Sequence, residues 1–406
     1  MDARKKVVLN TWGVMIYFFA QWVLTILVTR ISGYEAAGQY SLAVSFANIF
    51  SFIGMFGVRA LQVSDVSHRY TDGQYYALRI STCSIAVFGF SVSILFTGYS
   101  AATMWCCVAM MIYKLTECAA DVAIGSMQRK EQFGWIAVSY TLRAVIPAIA
   151  FLICLVMALP LPVTILAMAG AFAVCFLAYD VPLLVRAEGE KSRFQFKGTL
   201  QILRECFPLM LTSLLDSLMV YIPRDAVERA LGSEALGYYG TVSIVVVVLS
   251  TLGTGVWGSV MPRISILINK SDFAGVKKTV KIIFLCMIVA GAAVLVGGSL
   301  LGPLFFKILF GEEILAYMYL LLPVLLNAVL LLFNSFYTCV FVPLNKRNVL
   351  LYTNALAVIV CAILSNFLVS YGLMGACIGL TVSLTLRAVL LLVILIRQLR
   401  LAEKRG

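Results

Sequence analysis

Lys114, Glu117 and Asp121 stand three and four positions apart inside one long apolar run, a spacing that puts all three on one face of a helix. A charge at the bilayer centre costs about 2.5–3.5 kcal/mol on insertion scales, so such a face must look into protein or into water. Arg143, Asp216 and Arg387 also lie close to the middle of apolar runs. Two chemistries suit this set. In one, Lys114–Glu117 and Arg143–Asp121 are neutralising pairs that lock helices together. In the other, the groups line a hydrated cavity, where Lys114, Arg143 and Arg387 attract an anionic cargo. Glu117, Asp121 and above all Asp216, which has no opposite charge nearby in sequence, would then exchange H+ or Na+. Asp180, near the end of its run, reads as solvated or capped. Arg30, Arg224 and Arg229 flank apolar runs, where a guanidinium can grip a phosphate through two parallel hydrogen bonds. A salt bridge to Glu35, or to Asp225, Glu228 and Glu234, explains those arginines nearly as well.

Catalytic chemistry finds no footing. Almost all of the 11 cysteines fall within apolar runs and none forms a Cys-x-x-Cys pair, so they read as small buried side chains. The single histidine, His68, makes neither a metal site nor a Ser/His/Asp triad by itself. No phosphate-binding Gly-x-x-x-x-Gly-Lys-Ser/Thr loop and no Asp-x-Asp is present. The glycines of Leu252-Gly253-Thr254-Gly255 read as close-packing positions between helices. The expectation is no enzyme, no cofactor and no metal.

The elements that must position these residues follow from composition. Of the 406 residues 62% are hydrophobic and 12% charged, about half the charged share of soluble domains. With a mean hydropathy of +0.99, no soluble core could hide so much apolar surface. Runs long enough to cross a bilayer as helices occur at 10–29, 36–58, 78–98, 102–123, 136–158, 163–184, 206–223, 236–258, 281–301, 316–340, 349–369 and 373–396. With the N-terminus in the cytoplasm, 24 of the 31 lysines and arginines fall in inner connections, 4 in outer ones and three within spans. The net charge of +12 is therefore an address for orientation and not a nucleic-acid surface. The first run reads as an uncleaved anchor.

The chain also repeats itself. Gly33-Tyr34-Glu35-Ala36-Ala37-Gly38-Gln39-Tyr40 recurs 199 positions later as Gly232-Ser233-Glu234-Ala235-Leu236-Gly237-Tyr238-Tyr239, with Arg30 and Arg229 matching ahead of each block. Gln128-Arg129-Lys130 is echoed by Asn345-Lys346-Arg347 at a shift of 217, so the second half has gained roughly eighteen residues, placed around Gly311-Glu312-Glu313. Six spans per half make the repeats parallel, with the cleft between halves as the natural binding site. The expected division is 1–199 for the first lobe, including a charged linker at about 186–205, and 200–406 for the second.

Further stretches come in a telling order: Thr29-Arg30-Ile31-Ser32-Gly33, Gly38-Gln39-Tyr40-Ser41-Leu42-Ala43, Phe56-Gly57-Val58-Arg59 with Gln62-Val63-Ser64-Asp65, Lys114-Leu115-Thr116-Glu117 with Asp121, Gly125 and Gln128, Gly237-Tyr238-Tyr239, and Met261-Pro262-Arg263-Ile264-Ser265. On these the chain resembles the polysaccharide transporter (Wzx-like) branch of the multidrug/oligosaccharidyl-lipid/polysaccharide (MOP) exporter superfamily. The resemblance implies an all-α integral membrane protein of about 12 transmembrane helices, in two parallel six-helix repeats forming a V-shaped, MATE-like pair of lobes. It implies a flippase that moves polyprenyl-diphosphate-linked oligosaccharide from the cytoplasmic to the outer leaflet by ion-coupled alternating access. Its setting would be the bacterial cytoplasmic membrane with both termini inside. Its partners would be the lipid-linked oligosaccharide, membrane lipid, a glycan polymerase and glycosyltransferases, with no nucleic acid. Related lipid II flippases hold the diphosphate with cavity arginines, a role the resemblance extends to Arg30 and Arg224. Two other readings stay open: a cation-coupled exporter of small amphiphilic drugs on the same scaffold, and an energy-independent scramblase or assembly partner of a glycan polymerase.

Overall fold

A computed structural model describes residues 3–65, 69–188, 195–196, 198–270, 272–344 and 346–403. His68 and Asn345 lie outside the described residues, as do Lys191, Arg193, Lys197, Lys404 and Arg405, which belong to the 24 basic residues assigned to inner connections. Every element among the described residues is helical. In order they are α1 Ala3–Met55, α2 Val58–Ser64, α3 Asp72–Ile94, α4 Ala101–Arg129, α5 Phe133–Val156, α6 Leu161–Cys175, a π-helical turn Phe176–Asp180 and α7 Val181–Glu188. They continue with α8 Thr199–Val242, α9 Ile244–Asn269, α10 Phe273–Phe310, a 3-10 helix Glu313–Leu320, α11 Leu321–Phe341, α12 Arg347–Leu368, a 3-10 turn Val369–Tyr371 and α13 Leu373–Glu403.

Nine described stretches are long and apolar enough to cross a membrane by length and composition. Two of them, Trp12–Ser64 with 53 residues and Thr199–Ser250 with 52, are far longer than the roughly 20 residues one crossing needs. Each is broken by a glycine: Gly33 at φ 84, ψ 178 and Gly232 at φ 85, ψ 174. That region of backbone space is essentially closed to residues with a Cβ. These are the first residues of the two repeat blocks, so the sequence repeat marks a repeated break in the helices. α4 does not count among the nine, because Lys114, Glu117 and Asp121 fall together in its middle. Two legs each for the broken stretches, with α4 restored, are consistent with twelve crossings.

Local chemistry explains where helices start. Thr71 caps α3 in a reciprocal box: its hydroxyl accepts from Gln74 N, and the Gln74 side chain accepts from Thr71 N. Ser100 and Asp272 cap α4 and α10 by accepting from the amides of Thr103 and Gly275. The short connections at 97–101 and 160–162 leave α3 packed on α4 and α5 on α6, as their lengths require. Phe88 and Leu300 are 72% and 75% exposed in the middle of long helices, a surface suited to lipid and not to water.

Contacts divide the chain into two compact units, Met1–Tyr221 and Ile222–Gly406. In the first, Phe50 packs edge to face on both Phe46 and Phe90, which are tilted against each other. Ile202, Cys206 and Met210 of α8 join Phe56, Val58, Tyr75 and Leu78 in the same core, so the opening turns of α8 belong to this unit. In the second, Ile264, Val276, Phe336, Val340, Phe341 and Leu391 form the centre. There Asn327 and Asn334 of α11 donate to the carbonyls of Cys377 and Leu384 on α13, seven residues apart on both helices.

Candidate functional site

The polar residues of the first unit converge on α4. Lys114 Nζ lies 2.6 Å from Glu117 Oε2, one turn along the same helix, and both side chains are largely buried. Tyr17 and Gln21, four apart on α1 and therefore on one face, complete the site. The Tyr17 hydroxyl donates to Glu117 Oε1 and shares a 3.0 Å hydrogen bond with the Tyr113 hydroxyl. Gln21 Nε2 donates to that same Tyr113 oxygen at 2.8 Å. Lys114 also sits 5.6 Å from the centre of the Tyr113 ring. A cation, a carboxylate, two phenols and an amide thus satisfy one another away from water, as buried polar groups must.

One turn further along α4, Asp121 is clamped by two arginines. Arg79 NH2 is 2.8 Å from Oδ2 and Arg59 NH1 is 3.5 Å from Oδ1. The end of α1 explains why Arg79 is there. Phe56 and Gly57 turn left-handed after Met55, and the Gly54 carbonyl is left without a helical partner. Arg79 NH1 donates to that carbonyl at 2.6 Å and Thr82 Oγ1 at 2.7 Å, on a helix end that favours positive charge. Arg59 extends the network by donating to Gln128 Oε1 and, at 3.0 Å, to the Tyr140 hydroxyl.

Arg143 does not pair with Asp121, which corrects the neutralising pair expected from sequence. Its Nε lies 3.6 Å from Oδ2 of Asp180, and its guanidinium sits over the rings of Tyr140 and Phe172. Asp180 is neither solvated nor a cap: it is fully buried. The cause is the π-helical turn Phe176–Asp180, whose extra residue per turn re-aims side chains relative to ordinary α spacing. Neither Asp180 oxygen, nor Arg143 NH2, nor the Ser139 hydroxyl has a hydrogen-bond partner among the described residues. The two charges face each other as an ion pair, and Arg143 Nε also donates to the Ser139 carbonyl at 3.3 Å.

The remaining candidates lie elsewhere. Arg30 is exposed three residues before the Gly33 break, and Asp216 is exposed on the first leg of α8. In the second unit Arg224 is half-buried within electrostatic reach of Tyr239, and Arg387 is 3% exposed on α13. The structure therefore joins Lys114 to Glu117 directly and Asp121 to Arg59 and Arg79, whereas Arg143 belongs with Asp180. Sequence reasoning passed over Tyr17, Gln21 and Arg79 as site residues and set Asp180 aside as solvated or capped. Tyr17 and Gln21 carried a signal in their four-residue spacing. Arg79, counted with the basic connections, is 4% exposed in the second turn of α3.

The connection before α3 is tied to α8. Arg69 NH1 lies 3.2 Å from Glu205 Oε1, and the Tyr70 hydroxyl donates to the same oxygen at 3.0 Å. Burial and the Glu205 carboxylate hold the Tyr70 hydroxyl above its usual pKa. Among the described residues no group of three or more His, Cys, Asp or Glu side chains is placed to hold a metal.

Against known proteins, a family model described as "Polysaccharide biosynthesis protein" matches residues 3–268. The capsular polysaccharide biosynthesis protein CapF of Staphylococcus aureus is 23% identical over 89% of this chain and 91% of its own. A Shigella flexneri protein named as an O-antigen transporter is 28% identical over 45% of this chain and 44% of its own. Among solved structures, the lipid II flippase MurJ in an inward closed conformation superposes with a TM-score of 0.77 at 13% identity, covering 96% of this chain and 87% of that one. That likeness establishes a shared helical membrane fold.

Proposed function

Because the chain belongs to the polysaccharide biosynthesis protein family, we propose that it is a flippase that carries polyprenyl-diphosphate-linked oligosaccharide from the cytoplasmic to the outer leaflet for cell-surface polysaccharide. The observation that carries this reading is the family match over 3–268, extended along nearly the whole chain by the capsular relative. Physical chemistry supports it. A lipid-linked sugar needs wet polar surface for its saccharide and diphosphate, while its prenyl tail stays in lipid. The chain sets a dense polar core into helices whose outer faces are apolar. Nothing in the sequence provides for nucleotide hydrolysis, so transport without catalysis is the reading, driven by an ion gradient through alternating access of the halves 1–199 and 200–406.

In this proposal the protein resides in the bacterial cytoplasmic membrane with both termini inside, supplied by glycosyltransferases and feeding a glycan polymerase. Arg30, Arg224, Lys114, Arg143 and Arg387 serve the anionic cargo. Asp216, Glu117 and Asp121 are the ion-exchanging carboxylates. Lys114, Glu117 and Asp121 are already engaged with protein groups, so cargo or ion binding there must break existing pairs. Arg30 and Asp216 are exposed.

The test is deletion of the gene followed by identification of the lipid-linked saccharide that accumulates on the cytoplasmic leaflet. Accumulation reversed by the wild-type gene supports the flippase. Hypersensitivity to amphiphilic drugs without accumulation supports the exporter alternative. In reconstituted vesicles Arg30→Ala and Arg224→Ala reduce flipping at unchanged protein level, and unchanged rates remove them from the binding set. For Asp216, an Asp216→Asn variant that still follows an imposed ion gradient excludes the coupling role.

A further inference from the structure

The extra residues of the second half build something the first half lacks. Helices α3 and α10 begin at Asp72 and Phe273, 201 apart, whereas the next long helices begin at Ala101 and Leu321, 220 apart. The gain therefore falls between them, in the lengthened end of α10 and in the 3-10 helix Glu313–Leu320. The first half closes the same interval with a short connection from Ile94 to Ala101. A six-helix repeat evidently folds without the addition, so the addition answers to something else.

What it carries is a tier of tyrosines. Tyr317 stacks on Tyr238, with ring centres 3.9 Å apart and planes 13° apart, and Tyr319 lies beside Tyr317 at 6.3 Å. Tyr238 is the repeat-block position that holds Gln39 in the first half. It is buried and forms the backing, Tyr317 is half-buried, and Tyr319 is 50% exposed. Carboxylates edge the tier. The Tyr238 hydroxyl donates to Glu234 Oε1 at 3.4 Å, and Glu313 lies within its electrostatic reach; both glutamates are exposed. Glu312 is engaged by Lys307 at 2.8 Å, which leaves Glu234 and Glu313 to set the local charge.

Two uses of exposed tyrosines compete here. Interfacial anchors meet lipid headgroups one ring at a time, and an acidic rim beside them works against anionic headgroups. A sugar ring presents the opposite demands: an apolar C–H face that lies flat on an aromatic ring, and an edge of hydroxyls that donate to carboxylates. A tiered aromatic floor with carboxylates at its side matches the sugar on both counts. Lys307, the cation described beside these groups, is taken up by Glu312, which fits a neutral ring better than an acidic one.

We propose that Tyr317 and Tyr319, backed by Tyr238 and edged by Glu234 and Glu313, form a docking platform for a neutral sugar ring, on the face of the second unit opposite its basic connections. Its use in receiving a transported glycan rests on the flippase reading; the binding itself does not. Full-length protein in nanodiscs is titrated with soluble fluorescent oligosaccharides built from neutral hexoses and N-acetylhexosamines, and with acidic oligosaccharides built from uronic acids. Neutral probes bind the wild type, and affinity falls about tenfold or more in Tyr319→Ala, the size expected for one lost aromatic stack with its edge contacts. Tyr319→Trp retains binding, and Glu313→Gln weakens it. Because Tyr319 and Glu313 are surface residues, thermal unfolding midpoints stay at the wild-type value and report that the fold is intact. Absence of binding by the wild type, preference for the acidic probes, or binding indifferent to Tyr319→Ala and Glu313→Gln overturns the platform; in that case the tyrosines are membrane anchors only. A deletion strain that accumulates no lipid-linked saccharide overturns the flippase reading and leaves the nanodisc result as it stands.

Discussion

Asp180 carries the sharpest expectation at the scale of single residues. A buried pair deprived of one member leaves an uncompensated charge, at a cost of about 3–5 kcal/mol. Asp180→Ala therefore lowers the thermal unfolding midpoint of the purified protein markedly, and Arg143→Met combined with Asp180→Leu recovers most of the loss. A midpoint unmoved by Asp180→Ala shows that the pair does not hold α5 to the π-helical turn. Tyr17→Phe takes a donor from a buried carboxylate and costs about 1–3 kcal/mol, read by the same unfolding measurement. The three charges of α4 were legible because their spacing is that of an ordinary α-helix. The partner of Arg143 was not, because a π turn breaks the periodicity on which such pairing rests and aims Asp180 inward. Arg79 was missed for another reason: its burial depends on a carbonyl freed by the left-handed exit from α1, which no spacing within α3 reveals.

Among elements, the breaks at Gly33 and Gly232 isolate one physical effect. A Cβ built at either position meets no atom within 4 Å, so substitution brings strain without collision. Gly33→Ala and Gly232→Ala each destabilise the protein by about 1–3 kcal/mol through the backbone alone. Asn fares no better than Ala, because its tolerance covers the compact left-handed region and not the extended one seen here. Equal midpoints for wild type and both alanine variants would show the breaks to be freely adjustable. The sequence repeat located these positions without disclosing their conformation. Matching residue types reveal kinship between blocks, whereas the positive φ follows from two helical legs meeting where a single helix would be too long to fit the membrane.

For the whole molecule, the polar-to-apolar rhythm of the chain was readable almost in full, since bilayer thickness is a ruler that twenty-residue runs must match. The grouping of contacts was not. The opening turns of α8 pack into the first unit through Ile202, Cys206 and Met210, beyond the charged segment read as the linker. Orientation is testable against the positive-inside argument. In a background with all 11 free cysteines replaced, Lys346→Cys is labelled by a membrane-impermeant maleimide only from the cytoplasmic side, and Ser370→Cys only from outside. Labelling of both from one side would remove the crossing assigned to α12. The charged face of α4 finally bears on how the chain is made. A leg carrying lysine, glutamate and aspartate is a poor passenger for a translocon judging it alone, and Tyr17, which hydrogen-bonds Glu117, and Arg59 and Arg79, which pair with Asp121, all emerge from the ribosome earlier. α4 is thus fitted to enter the membrane against helices already waiting there, so synthesis order itself becomes part of its solvation.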